Sequence, residues 1–299
     1  MGKFAKKDPV AVAKTQAANV MKQMQGTHLR SVGTVRNYEQ ALAKVARYAN
    51  AEHNCSLRQL TPEQVYQYLE HRGQEVGQKT LDMERQAVQA MMHHVTKSLP
   101  ENERLSVIKS EQDAALSSRA YTAEQVRLVA NSQTERNALA TEIAHAAGLR
   151  AHELLTLQRI DDRAPDERPA LESKWQGREG ESYTVQGKGG LVREVRIPSP
   201  LAERLENLRL DEPQRITDRG VHYTQSYALN GGEKWSKSFS AASTRALNWS
   251  AGAHGVRHSY AQERMHELQH QGLTRDKALE TVSQEMGHFR PSITETYLR

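Results

Sequence analysis

Apolar residues in the first hundred positions recur at the spacing of a helical stripe rather than alternating as strands do. From Thr34 to Asn50 the stripe is Val35, Tyr38, Leu42, Val45, Ala46 and Ala49, which predicts one amphipathic helix. Thr61-Pro62-Glu63-Gln64 predicts the start of another, with Thr as cap, Pro in the first turn and Gln closing a capping box; Val65, Tyr68 and Leu69 form its stripe. A further helix is predicted over about Lys79–Ser98, with Leu81, Ala87, Ala90, Met91 and Val95 on one side. The stretch before Thr27 is a weaker helix candidate.

The rhythm breaks between Leu99 and Ala120, where charges and a proline replace the stripe, and this reads as a linker. Thr122-Ala123-Glu124-Gln125 opens a second helical region that runs through Ala146. Between Leu171 and Pro198 the period shortens to that of strands. Ser182–Val185 and Val192–Ile197 flank the turn Gly187-Lys188-Gly189-Gly190. Helix returns from about Ser236 to the end. The chain is therefore expected to be mainly α with a small antiparallel β-sheet (α+β). The expected divisions are an N-terminal extension over 1–26, a helical domain over 27–100, a linker over 101–119 and a mixed domain over 120–299.

Composition narrows the functional classes. The 299 residues carry 41 Lys and Arg against 36 Asp and Glu, a formal charge of +5 that suits a polyanionic partner without requiring one. The single cysteine, Cys55, excludes an intramolecular disulfide and a cysteine-based zinc cage. No run of about 18 apolar residues predicts a membrane span. The basic start, Met1 to Asp8, leads into no apolar core, so no secretory leader is expected. A soluble, cytoplasmic, nucleoid-associated protein is the expectation.

Four separated segments answer one chemical need. They are Gly148-Leu149-Arg150 with Glu153, Lys188 on its glycine turn, His254-Gly255-Val256-Arg257, and Gly287-His288 with Tyr297 beyond. Each alone has an ordinary reading as a solvated, solubilising or packing residue. Together they suit attack on a phosphodiester. Arg150 and Arg257 can bind the non-bridging oxygens in bidentate fashion and stay charged at any working pH. Tyr297, with an unperturbed pKa of about 10, needs its proton removed as it attacks. His254 is the candidate base and His288 a candidate hydrogen-bond donor to the phosphate. Lys188 can protonate the departing sugar oxygen. This chemistry needs no metal or organic cofactor, and no Asp/Glu cluster for two-metal chemistry stands out.

The pattern resembles the tyrosine recombinases, or phage-type integrases. Gly148-Leu149-Arg150 with Glu153 and Leu154 matches the family's first box, and Gln186–Gly189 matches its lysine turn. His254–His258 matches His-x-x-Arg-His, and Met286-Gly287-His288, Thr294 and Tyr297 match the final box. The order Arg, Lys, His-x-x-Arg, His, Tyr is kept, and the resemblance runs from about Ala120 to the end. It implies that the helical part is a core-binding domain, which it matches only in helical character and position. It implies a DNA recombinase of a mobile genetic element that forms a 3′-phosphotyrosine on Tyr297 without ATP or metal. Both domains would clamp double-stranded DNA, and a homo-tetramer would assemble on two duplexes, with accessory DNA-bending or directionality proteins as further partners. Glu153 would orient an active-site group.

Arg30, Arg36, Lys79 and Arg85 are the candidate phosphate contacts of the helical part. Members of the family commonly continue past the tyrosine into a segment that docks on a neighbouring protomer. Here Leu298 and Arg299 follow, so either the chain is shortened or protomer contacts lie elsewhere. The polar stretch between Arg257 and Gly287 is expected to hold an extended loop around Gln269–Thr274. Two rival readings remain. A type IB topoisomerase would use the same tyrosine ester on a single duplex. His266-Glu267-Leu268-Gln269-His270 has the zinc-peptidase spacing but no third ligand in sequence. His93 and His94 read as helix-surface residues.

Overall fold

The computed structural model describes residues 8–113 and 117–299. The chain divides into two compact units, Met1–Ala115 and Leu116–Arg299, each with its own core. The architecture is mainly helical with small antiparallel sheets.

The first unit is built from α1 (Pro9–Met24), α2 (Val32–Glu52), α3 (Pro62–Gly73) and α4 (Gln78–Met91). The stripe Val35, Leu42, Val45, Ala46 and Ala49 of α2 is buried, as its spacing requires. Thr61 caps α3 through the Gln64 amide, and Gln64 reciprocates to the Thr61 backbone. α4 continues as a wider turn to Thr96 and stops at Lys97, whose φ of 58° no helix sustains. There His94 stacks on His28 with ring centroids 3.8 Å apart, a contact rather than a free surface position.

The linker expected over 101–119 is corrected in its first half. Leu99 and Leu105 enter the helical core. The Glu111 amide donates to Gly73 O at 2.9 Å, and Gln78 brackets Ile108 O and Ser110 N. A chain with few apolar residues still packs when each one finds a socket. Arg85 serves this packing: its Nη1 donates to Leu105 O at 2.9 Å, so it is not a free phosphate contact.

In the second unit α5 (Ala123–Asn131), α6 (Glu135–Ala146) and α8 (Gly232–Leu247) pack around one core with a sheet of order β1–β2–β3. β1 is Gln158–Arg159, β2 Glu181–Gln186 and β3 Val192–Ile197. Tyr183 pairs with Val195, and Arg193, Val195 and Ile197 alternate inward. After α7 (Ser199–Glu206) comes a hairpin that the hydrophobic pattern does not predict, β4 (Arg209–Asp218) with β5 (Val221–Tyr227). Most of its residues are exposed, so no alternation marks it. Pro213 sits where the register shifts between Arg209 and Gln214, where no ladder bond is needed from it. Glu206 accepts from Tyr183 Oη at 2.7 Å and Tyr227 Oη at 2.8 Å, which ties the two sheets together.

α9 (Gly255–His270), α10 (Arg275–Glu285) and α11 (Pro291–Thr294) complete the unit. The extended loop expected around Gln269–Thr274 is instead the end of α9 and a tight turn capped by Thr274 on the Lys277 amide. Apolar Met265, Leu268, Ala278 and Val282 close these helices against each other, so a polar surface hid a packed pair.

Candidate active site

The centre of the second unit is Glu153, whose side chain is fully buried on the short turn Glu153–Thr156. The chain reaches it from α6 through Gly148, at φ 60°, where a Cβ would stand 2.6 Å from the Tyr260 ring. Only glycine fits that bend. Arg150 follows: its amide donates to Glu153 Oε2 at 2.8 Å and its Nη1 to Oε1 at 2.7 Å. Arg193 Nη2 donates to Oε2 at 2.9 Å, and Arg257 Nη1 lies 3.8 Å from the same oxygen. Burial alone raises the Glu153 carboxyl, but Arg193, Arg257 and Arg150 outweigh it and hold the pKa well below the ordinary carboxylate value.

Arg257 is fully buried at the start of α9. Its Nη1 donates to Gly148 O, and its Nη2 to Met286 O at 2.6 Å and to His288 Nε2 at 3.1 Å. Complete burial, then the charge of Arg150, lower its pKa to about 9, still charged at neutral pH. The bidentate grip expected of Arg257 is therefore not free in this arrangement, because both terminal nitrogens already serve protein acceptors. Arg150, with 23% of its side chain exposed, is the open guanidinium of the pair.

His288 is neutral: burial first, then Arg257, Arg150 and Arg193, lower its pKa to about 3. Arg257 can only donate, so Nε2 accepts and the ring proton sits on Nδ1, facing Thr294 Oγ1 at 2.9 Å. His288 thus points no donor outward here. Desolvation, then Arg257, His258 and Arg119, hold His254 below the ordinary histidine value, although its surface is open. Desolvation and then Arg119 lower His258 in the same direction.

Tyr297 lies among these groups, 9% exposed. Its ring centroid is 4.7 Å from that of His258, 5.0 Å from His288 and 5.5 Å from His254, with Arg257 Cζ 5.6 Å from the ring. Gln262 Nε2 donates to Tyr297 O at 3.1 Å and fixes the backbone. Lys188 stands exposed on the β2–β3 turn. That turn rises from the wall of the site, since a Cβ on Gly187 would stand 3.4 Å from Glu153 Oε1 and 3.9 Å from Arg150 Nη1. Arg150, Arg257, His254, His288, Tyr297 and Glu153 thus gather in one place, with Lys188 at its rim. Arg30, Arg36 and Lys79 are exposed on the first unit.

Arg193 lies in the strand predicted over Val192–Ile197 and carries no site role in the sequence pattern, yet it is buried and contacts Glu153; its inward register with Val195 and Ile197 is the available signal. The zinc-peptidase motif is occupied otherwise. Glu267 accepts from Arg178 Nε at 2.8 Å and Nη2 at 2.6 Å, and from Arg264 Nη1 at 3.0 Å, so it is not free as a base. Among the described residues no group of three His, Cys, Asp or Glu side chains could hold a metal ion, and no helix is long and apolar enough to cross a membrane.

Comparison with known proteins adds to this geometry. Residues 22–97 match the family model of the phage integrase N-terminal SAM-like domain. No curated protein sequence matches the chain. Solved structures do. A lambda integrase dimer bound to a COC′ core site matches at TM-score 0.60 and 14% identity over 99% of this chain and 82% of that one. XerH site-specific recombinase bound to difH substrate, in a pre-cleavage complex, matches at TM-score 0.56 and 16% identity over 99% and 94%. The Tn1549 transposon integrase with transposon right end DNA matches at TM-score 0.56 and 12% identity over 96% and 94%.

Proposed function

The chain has the fold of the tyrosine recombinases, and from that premise we propose that it is a site-specific DNA recombinase of the integrase kind, with Tyr297 as nucleophile. One observation carries the reading. Three guanidiniums converge on the buried carboxylate of Glu153, beside a tyrosine packed among three imidazoles. That set has an excess of two positive charges in a low-dielectric pocket and is complete only when an anion enters.

In the proposed reaction the scissile phosphate docks on Arg150, and the charge of Arg257 supports it from beneath. The Tyr297 ring lies over Arg257 in the free protein, so docking requires the ring to shift. His254, neutral, takes the phenolic proton as Tyr297 Oη forms its bond to phosphorus. The bond from phosphorus to the 5′ oxygen breaks, and Lys188 protonates that oxygen. The products are a 3′-phosphotyrosine and a free 5′-hydroxyl. Attack by a 5′-hydroxyl from a second duplex reverses each step, releasing Tyr297 and joining the strands. The ester conserves the bond, so no ATP or metal is consumed. The exposed Arg30, Arg36 and Lys79 are proposed to contact DNA phosphates, and four protomers to assemble on two duplexes.

The test is incubation with a pool of nicked duplexes of randomised sequence, in which the cleaved fragment diffuses away and the ester is trapped. A denaturation-resistant protein–DNA adduct is expected from the native chain and none from Tyr297→Phe. An adduct that persists in that variant overturns the assignment. Strand exchange that needs a second duplex, rather than relaxation of one, separates a recombinase from a single-duplex topoisomerase.

A further inference from the structure

Arg193 belongs to none of the segments that would touch DNA in the reaction above, yet it touches two of them. It enters from β3 on the inward face, with Val195 and Ile197, and is 5% exposed. Its two terminal nitrogens diverge: Nη2 donates to Glu153 Oε2 at 2.9 Å and Nη1 to the backbone carbonyl of Glu285 at 2.6 Å. The first bond leads to Arg150, which Glu153 holds through both its backbone and its guanidinium. The second leads to the segment that carries His288.

The far anchor is rigid. The Glu285 carboxylate accepts from Arg264 at 3.0 Å and from Tyr260 Oη at 2.8 Å, and both donors are buried. The stem of Arg193 passes directly beneath Gly287, at φ 70°, where a Cβ would stand 2.6 Å from Arg193 Cδ. Gly287 is therefore glycine for two reasons, its left-handed backbone and the side chain it lies on. The strand that carries Arg193 also follows the Lys188 turn, so the backbone links this residue to the third wall of the site.

We infer that Arg193 is a positioning residue for strand cleavage, bracing Arg150 through Glu153 and His288 through the 285–288 backbone. The inference rests on the recombinase reading proposed above. A planar guanidinium suits the task because its donors are fixed in a fork and can span two acceptors. A lysine would replace the charge but not the fork.

Three proteins decide it on the same nicked-duplex pool: the native chain, Arg193→Lys and Arg193→Met. Single-turnover adduct formation is expected to slow by about a hundredfold in both variants, the size of loss that a misplaced reacting group causes. DNA affinity should stay unchanged. NMR titration of the His288 ring separates charge from geometry. It should move to higher pH in Arg193→Met, where a nearby cation is lost, and stay in place in Arg193→Lys. Should Arg193→Met fail to fold, the lysine variant alone decides. Cleavage by Arg193→Lys at the native rate would overturn the inference, because Arg193 would then supply only buried charge. Absence of any adduct from the native chain would instead overturn the recombinase reading, and the bracing role with it.

Discussion

Glu84 in the first unit and Glu153 in the second are both completely buried, and they are surrounded differently. In the first unit Glu84 accepts from Lys44 Nζ at 3.2 Å, from Tyr68 Oη at 2.7 Å and from Arg72 Nη2 at 3.0 Å, while Arg72 also meets Glu75. Two cations face two carboxylates, and both cations reach solvent. Burial and the Glu84 charge hold the Tyr68 hydroxyl in its protonated form as a donor. Glu153 in the second unit meets three arginines, two of them buried, and among the described residues no second carboxylate joins them. The first arrangement is closed and serves the fold. The second leaves positive charge unmatched by a carboxylate among the described residues, the kind of imbalance that marks a candidate functional site. Two equally buried carboxylates can thus be told apart by the charge balance around them.

Replacing the two glutamates tests this difference most severely. Glu153→Gln should cost about 3–5 kcal/mol of stability, because two buried guanidiniums lose the carboxylate they share. Urea unfolding should place that variant well below Glu84→Gln, and equal losses would erase the contrast. Arg150→Ala should slow adduct formation by about 100- to 1000-fold, as for loss of one donor to a developing oxyanion. Its melting temperature should hold or rise, since it relieves repulsion. A matching fall in stability would make Arg150 a structural residue. Arg72→Ala should do the reverse, losing about 1.5–3 kcal/mol for its charged hydrogen bonds while DNA-bound cleavage proceeds.

The smallest effect is on pH. His288 has a folded pKa of about 3 against an ordinary 6.5, so below pH 6.5 the unfolded chain takes a proton that the folded site refuses. Its contribution to stability is complete above that value and is lost as pH falls toward the folded pKa, by at most about 1.4 kcal/mol per pH unit. Melting curves between pH 6.5 and 4.5 should fall less steeply for His288→Gln than for the native chain. Identical slopes would mean that the imidazole is not held neutral by its cationic neighbours.

Local signals were legible in sequence and nonlocal ones were not. The capping boxes at Thr61 and Thr122 need only a few neighbouring residues, and both form as spaced. The chemical order from Arg150 to Tyr297 was readable because each residue type answers a distinct step. Glu153 read equally well as a surface charge, since its burial depends on Arg193 and Arg257, which are distant in sequence. The His-Glu-x-x-His motif lacks a third ligand in sequence, and its glutamate is occupied by Arg178, 89 positions away, and by Arg264. The β4–β5 hairpin stayed hidden because a ribbon exposed along most of its length has no hydrophobic alternation. The packing of 99–113 leaves little trace in the hydrophobic pattern because it hangs on a few apolar side chains and on hydrogen bonds with Gln78, Arg85 and Gln89.

The most direct measurement is the site of covalent attachment. Adduct from the nicked pool, trapped in the presence of a chelator and digested, should yield one modified peptide carrying a 3′-phosphate ester on Tyr297. Attachment to any other residue, or an adduct that the chelator prevents, would contradict the account.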